Sequence, residues 1–235
     1  MLDIHSLVVD YDDFKIIVES LIFEPGLHVL IGENGSGKSS VLTGVTGFNT
    51  KSIKKRELYV DNHKLSSTAE YISYLPQHNV PFQINVEDFV GLSTEKKISG
   101  EQFIGILNDY DLIHYRNHSI ENLSGGEFKR ALLAQIELED KPIIMLDEIE
   151  QGLDVNYQHI ILSRLKELAK NKVVILAMHD LSLAMTYADS ISGMKKGTLT
   201  AAKVPNHQVT EEMLSHIFSR EMKVIRQGNK VAVLS

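Results

Sequence analysis

An α/β fold on a buried parallel sheet, interrupted by a helical insertion, is the fold class this sequence predicts. Three observations point to it. Two short apolar runs, residues 143–146 and 173–178, bracket a helix-like stretch from about 156 to 169, which reads as strand, helix, strand with both strand faces covered. A third apolar run, 27–31, enters a glycine-rich loop followed by a segment of helical character, 39–45. Between about 82 and 122 the composition turns polar and helical, with few runs suited to a buried strand.

The remaining elements follow in order. Residues 6–9 and 16–23 are β-branched and apolar, and Glu24-Pro25-Gly26 is a turn that leads into the 27–31 strand. From Thr210 a capped amphipathic helix is expected, with Met213, Leu214, Ile217 and Phe218 on one face, then a hairpin around Gln227-Gly228-Asn229. There is no internal repeat and no low-complexity linker. The chain has 235 residues, 43% of them apolar, enough for one large domain or a domain with a subdomain.

Composition also excludes. A net charge of −7 supplies no excess cation for gripping nucleic-acid phosphates. Zero cysteines exclude thiol catalysis, iron–sulfur clusters and thiolate zinc sites. The N-terminus lacks a basic region followed by an apolar run, and no apolar run is long enough to span a bilayer. A soluble intracellular protein is expected.

Gly32-Glu33-Asn34-Gly35-Ser36-Gly37-Lys38-Ser39 matches G-x-x-x-x-G-K-[ST] in full. The glycines let consecutive backbone N–H groups turn inward as an anion nest, and the following helix adds its positive end. Lys38 reaches the β- and γ-phosphates of a nucleotide, and the Ser39 hydroxyl is a magnesium ligand. Strand 143–146 ends in Asp147-Glu148. The strand carries Asp147 to the sheet edge, where it can hold Mg²⁺ through water beside Ser39, and Glu148 then lies where it can polarise an attacking water. Alone, two acids after a strand are more often solvated. The phosphate loop upstream reverses that judgement.

Leu123-Ser124-Gly125-Gly126-Glu127 is locally a capping box, with Ser124 at N-cap and Glu127 at N3 of a helix running through Leu138. Two glycines in a helix's first turn cost stability without another reason, and a second phosphate site is such a reason. Here the chain resembles an ABC-type ATPase, and Leu123 to Glu127 resembles that family's signature motif. The resemblance covers essentially the whole chain. It implies a P-loop NTPase parallel-sheet core, an N-terminal antiparallel β subdomain and an inserted α-helical subdomain, with about 1–78 and 134–235 forming the core and about 79–133 the insertion.

By the same resemblance Tyr11 falls where an adenine-stacking aromatic lies, Gln77 in Tyr74-Leu75-Pro76-Gln77 matches the Q-loop and a magnesium contact, Asp154 after Leu153 fits the D-loop, and His179 is the switch histidine. The implied nucleotide contacts are Tyr11, Gly32, Asn34, Gly35, Ser36, Gly37, Lys38, Ser39 and Ser40, with Ser124, Gly125, Gly126 and Asp154 completing a site across a head-to-tail dimer. Lys38, Glu148, His179 and Gln77 are the implied catalytic set, ATP and Mg²⁺ the cofactors, and Ser39, Gln77 and Asp147 the metal contacts. The partners are a second copy, a multi-spanning permease and a separate substrate-binding protein, at the cytoplasmic face of the membrane. No nucleic acid is expected.

His179-Asp180-Leu181-Ser182-Leu183-Ala184 with Tyr187-Ala188-Asp189, and Pro81-Phe82 followed by Val86, look like ATPases of importers for iron-siderophores, haem and vitamin B12. A soluble ABC-type ATPase in cofactor assembly or nucleic-acid handling is the other reading. Three departures from the pattern stand out: Ile149 in place of the usual proline, Glu150-Gln151 after it, and Glu127-Phe128-Lys129-Arg130 where Gln is more common. His114 and His118 are spaced i, i+4, but with no third ligand in view they read as a polar helix face rather than a zinc site.

Overall fold

The computed structural model describes residues 1–48, 51–92, 99–228 and 230–235. The chain opens with an antiparallel pair, β1 (Leu2–Asp10) and β2 (Lys15–Phe23), then β3 (Gly26–Gly32) and helix α1 (Lys38–Thr46). Strands β4 (Ile53–Val60), β5 (His63–Lys64) and β6 (Ile72–Leu75) follow. Next come helices α2 (Val86–Gly91), α3 (Gly100–Asp109) and α4 (Gly125–Glu139). The core resumes with β7 (Ile143–Asp147), α5 (Val155–Leu168), β8 (Val173–Ala177), α6 (Leu181–Tyr187), β9 (Ser190–Lys195) and β10 (Thr198–Pro205). Helix α7 (Glu211–Phe218) and strands β11 (Lys223–Gln227) and β12 (Lys230–Leu234) close the chain.

One ten-stranded sheet runs in the order β5-β4-β1-β2-β10-β9-β3-β8-β7-β6. Its β9-β3-β8-β7-β6 part is parallel throughout. The N-terminal antiparallel strands join this part through β10, which pairs parallel with β2 at Thr198 and Ile17 and antiparallel with β9. The predicted parallel core and antiparallel N-terminal region are therefore regions of one mixed sheet.

The alternation of side chains explains the unbroken apolar runs. In β3, Leu27, Val29 and Ile31 enter one core layer while Leu30 enters the other. In β7, Ile144 and Leu146 face the first layer and Ile143 and Met145 the second, and β8 divides Val174 and Leu176 from Val173, Ile175 and Ala177 in the same way. A strand buried on both faces cannot show a polar period. Val41, Leu42 and Val45 of α1 cover the second layer; α4, α5 and α6 cover the first.

The tail matches its sequence signals. Thr210 caps α7 by accepting from the Met213 N–H at 3.1 Å. Strands β11 and β12 pair antiparallel from Gln227–Lys230 outward, and Asn229 of the expected turn lies outside the described residues. His114 sits in a 3₁₀ turn at Ile113–Tyr115, and His118 follows it with its ring edge-on to Tyr115. The expected helix face is therefore a loop. Among the described residues no group of three His, Cys, Asp or Glu is placed to hold a metal. Among them, too, no helix is long and apolar enough to cross a membrane.

Candidate active site

Parallel strands deliver their C-terminal ends to one edge of a sheet, and the loops leaving that edge form the crevice where ligands bind. Here β3 leads into the glycine loop, β6 into Gln77, β7 into Glu148 and β8 into His179. Because β3, β8, β7 and β6 are neighbours, these four loops converge on a cleft of about 800 Å³. Phe14, Asn34, Gly35, Gly37, Lys38, Ser39, Ser40, Gln77, Glu148, Gln151 and His179 line it.

The glycine loop needs its glycines for space and for backbone shape. A Cβ on Gly32 would lie 2.3 Å from the Met194 carbonyl oxygen and 2.6 Å from Ser36 Oγ. Gly37 caps α1 with φ 108°, a region that other residues rarely adopt. Lys38 is buried, and Nζ donates to the loop's own carbonyls of Gly32 at 2.9 Å and Glu33 at 3.3 Å. The loop is thus folded around its cation. Burial pushes the Lys38 ammonium pKa down, against the opposing pull of Glu148, Asp147 and Glu150. Ser36 Oγ is buried with no hydrogen-bond partner among the described residues.

On the acidic side, Ser39 Oγ donates to Asp147 Oδ1 at 3.1 Å across 108 residues of chain. Burial pushes the Asp147 carboxyl pKa up, opposed by that hydrogen bond and by the Lys38 charge. Two hard oxygen donors, already bonded to one another in a buried corner beside Glu148, fit a magnesium ion. Glu148 is 6% exposed and reached by three donors. His179 Nε2 meets its Oε1, while the Gln77 and Gln151 amide nitrogens both meet its Oε2.

The remaining sequence candidates lie elsewhere. The turn between β1 and β2, where Tyr11 N–H donates to the Phe14 carbonyl at 2.9 Å and Asp12 takes φ 64°, puts Phe14 on the cleft wall. Tyr11 and Phe14 both pack against the second core layer, and of the two only Phe14 lines the cleft. Ser124, Gly125 and Gly126 form the start of α4, outside the cleft lining, and Asp154 caps α5 by accepting from the Tyr157 N–H at 3.1 Å. The expected capping box is present: Glu127 N–H donates to Ser124 Oγ at 3.3 Å, and Ser124 N–H to Glu127 Oε2 at 2.7 Å. Gln151 and Phe14 were not among the sequence candidates. Phe14 had a signal, being the second aromatic of the same turn, whereas Gln151 had none.

This arrangement of a phosphate loop, a carboxylate pair and a separate glycine-led helix has relatives. The model of the family described as ABC transporter matches residues 20–151, more than half of the chain. The chain belongs to the ABC transporter family. As an ABC transporter ATPase it binds and hydrolyses ATP. Among curated relatives, the vitamin B12 import ATP-binding protein BtuD of Vibrio cholerae is 30% identical over 245 residues, covering 95% of each chain. The hemin import ATP-binding protein HmuV of Aliivibrio fischeri is 30% identical over 229 residues, covering 89% of this chain and 87% of its own. Among solved structures, an inward-facing transporter assigned to the metal-chelate type aligns with a TM-score of 0.79 at 22% identity, over 99% of this chain and 95% of that one. A dimeric ATP-binding cassette in a post-hydrolysis state with ADP and Pi aligns at 0.71 and 23% identity, over 85% and 97%.

Proposed function

We propose that this ABC transporter ATPase is the motor of an importer for a metal chelate, haem or a cobalamin-like compound, working as a head-to-tail dimer beneath a membrane permease. The end-to-end likeness to BtuD and HmuV supports the substrate class. In this reading Lys38 and the glycine loop hold the β- and γ-phosphates, Phe14 stacks on the adenine, and Ser39, Asp147 and Gln77 hold Mg²⁺. Bound there, magnesium offsets phosphate charge. Glu148 polarises the attacking water, and His179 and Gln77 orient its carboxylate from either side.

One observation about the signature helix supports the shared site. A Cβ added to Gly125 would meet nothing within 4 Å, and one on Gly126 only the Leu153 side chain at 3.9 Å. Neither glycine is required by this chain's own packing, yet both lower helix stability. A phosphate approaching from a second copy supplies the requirement, and the exposed N–H groups of α4 are suited to an anion. Around α2, the exposed Val80, Phe82 and Leu92 offer an apolar surface to the permease. Placed so, the protein sits peripherally at the cytoplasmic face, and a separate binding protein delivers substrate.

The test is uptake of labelled cobalamin, haem and ferric siderophore by cells whose only copy carries Glu148→Gln. Loss of one uptake is expected, with ATP binding retained by the purified variant and hydrolysis down about 100-fold or more. Normal uptake of all three overturns the substrate class, and normal hydrolysis overturns the role of Glu148.

A further inference from the structure

The departures from the family pattern at Glu127-Phe128-Lys129 and at Ile149-Glu150-Gln151 are brought together by the fold. Lys129 lies in the second turn of α4, and its Nζ donates to the main-chain carbonyls of Glu148 at 3.4 Å, of Ile149 at 3.3 Å and of Gln151. These carbonyls belong to the tight turn after β7, closed by the Gln151 N–H on the Glu148 carbonyl at 3.3 Å. A proline at 149 would fix one backbone torsion of this turn. Ile149 leaves that torsion free, and carbonyl dipoles aimed at one point repel unless a cation sits there. The ammonium of Lys129 is that cation.

Glu150 acts on the histidine. It is 4% exposed, and Oε1 accepts the backbone N–H of His179 at 3.0 Å. Its second oxygen is buried with no donor from any other described residue. A buried carboxylate left so is costly, and Lys129, whose Nζ sits on the Ile149 and Gln151 carbonyls on either side of Glu150 in the chain, supplies positive charge beside it. Glu148 is therefore held through its own backbone by Lys129, while its partner His179 is held through backbone by Glu150.

We propose that Lys129 and Glu150 are a pair of positioning residues for ATP hydrolysis, in which Lys129 fixes the turn that aims the Glu148 carboxylate into the cleft and Glu150 fixes the backbone of His179 beside it. The proposal rests on the reading of Glu148 given above. Its consequence is mechanical. Helix α4 starts at Ser124, so a phosphate that engages that end displaces a helix whose next turn grips the catalytic turn of the same chain. One side chain thereby links the two nucleotide sites of the proposed dimer.

The experiment compares Lys129→Met, Glu150→Gln and the double variant in ATP turnover, affinity for a fluorescent ATP analogue, and melting temperature. Misplacing a catalytic group without touching nucleotide contacts lowers kcat while KM holds. Lys129→Met is expected to lower kcat about 100-fold, with KM and analogue affinity within about twofold of the parent. Glu150→Gln keeps an acceptor for the His179 N–H and is expected to lose less. The double variant should lose less than the product of the singles, because no buried charge is left uncompensated. Should Lys129→Met not fold, Lys129→Gln keeps one donor, and the same split at smaller size is expected. Unchanged kcat, equal losses of kcat and affinity, or losses that multiply would each overturn the pairing. Glu148→Gln is measured alongside: full turnover there overturns the reading of Glu148, whereas its abolition beside normal turnover in Lys129→Met overturns the positioning role alone.

Discussion

The glycine loop before α1 and the start of α4, the two ends proposed to share a phosphate, use the same backbone physics in opposite surroundings. Each presents helix N-terminal N–H groups and glycines. At the first, Lys38 is 4% exposed and wrapped by its own loop, and Asp147 and Glu148 stand at the end of β7, across β8 from the strand that leads into the loop. The second is exposed and its capping box is complete; among the described residues a Cβ on Gly125 would meet nothing within 4 Å, and one on Gly126 only the Leu153 side chain. One chain therefore builds a charged end folded around a buried cation and an exposed end whose cap is already complete. The difference teaches why, in the proposed dimer, the first end holds the ligand and the second meets a ligand that the partner brings.

The largest effect breaks the comparison at the loop. Lys38→Ala should lower ATP turnover about 1,000-fold, since the loop loses its only buried cation. Ser124→Arg should do comparable damage from the other end by blocking a phosphate. Mixed together, the two inactive chains should regain turnover, because one composite site of the mixed dimer carries both lesions and the other neither. A mixture that stays inactive while mixed dimers form, followed by sizing with ATP, would show that both ends do not serve one phosphate.

A smaller effect separates the two aromatics of the β1–β2 turn. Base stacking is worth about 1–3 kcal/mol per ring, so Phe14→Ala should weaken ATP binding about tenfold or more by fluorescence titration. Tyr11→Ala, acting on a residue outside the cleft lining, should change the affinity less than Phe14→Ala does. Equal affinity losses would return Tyr11 to the cleft.

The smallest effects concern stability, and they should have opposite signs at the two ends. Burial raises the Asp147 pKa, so the ionised form is disfavoured by folding. Asp147→Asn should raise the melting temperature of the nucleotide- and magnesium-free protein at neutral pH. That gain should fade as pH falls through the raised folded-state pKa and vanish once the carboxyl is protonated in both states. At the α4 end, hydrogen bonds from Tyr115 and from Ser124 lower the Glu127 pKa. Glu127→Gln should therefore cost a little stability at neutral pH, a cost lost as pH falls through the lowered pKa. Melting curves across pH that moved in the same direction for both variants would erase the contrast.

How much of this was readable from residue order depends on the range of each interaction. The β7 and β8 strands, the glycine loop and the Ser124–Glu127 capping box are written in residues a few positions apart, because backbone hydrogen bonding and side-chain alternation act over that range. Those features the sequence determined by itself. The aromatic that lines the cleft was decided by one turn: Asp12 takes a left-handed conformation, and the cleft receives Phe14 instead of Tyr11. The convergence of Gln77, Gln151 and His179 on one carboxylate joins residues 71, 3 and 31 positions from Glu148. Lys129 reaches the same turn from 19 to 22 positions away. Such contacts leave no periodic trace, since they depend on which strands lie side by side and on how each loop leaves the sheet. Only the tertiary structure fixes that, because strand order is settled by burying two apolar layers at once, a condition no local stretch of the chain contains.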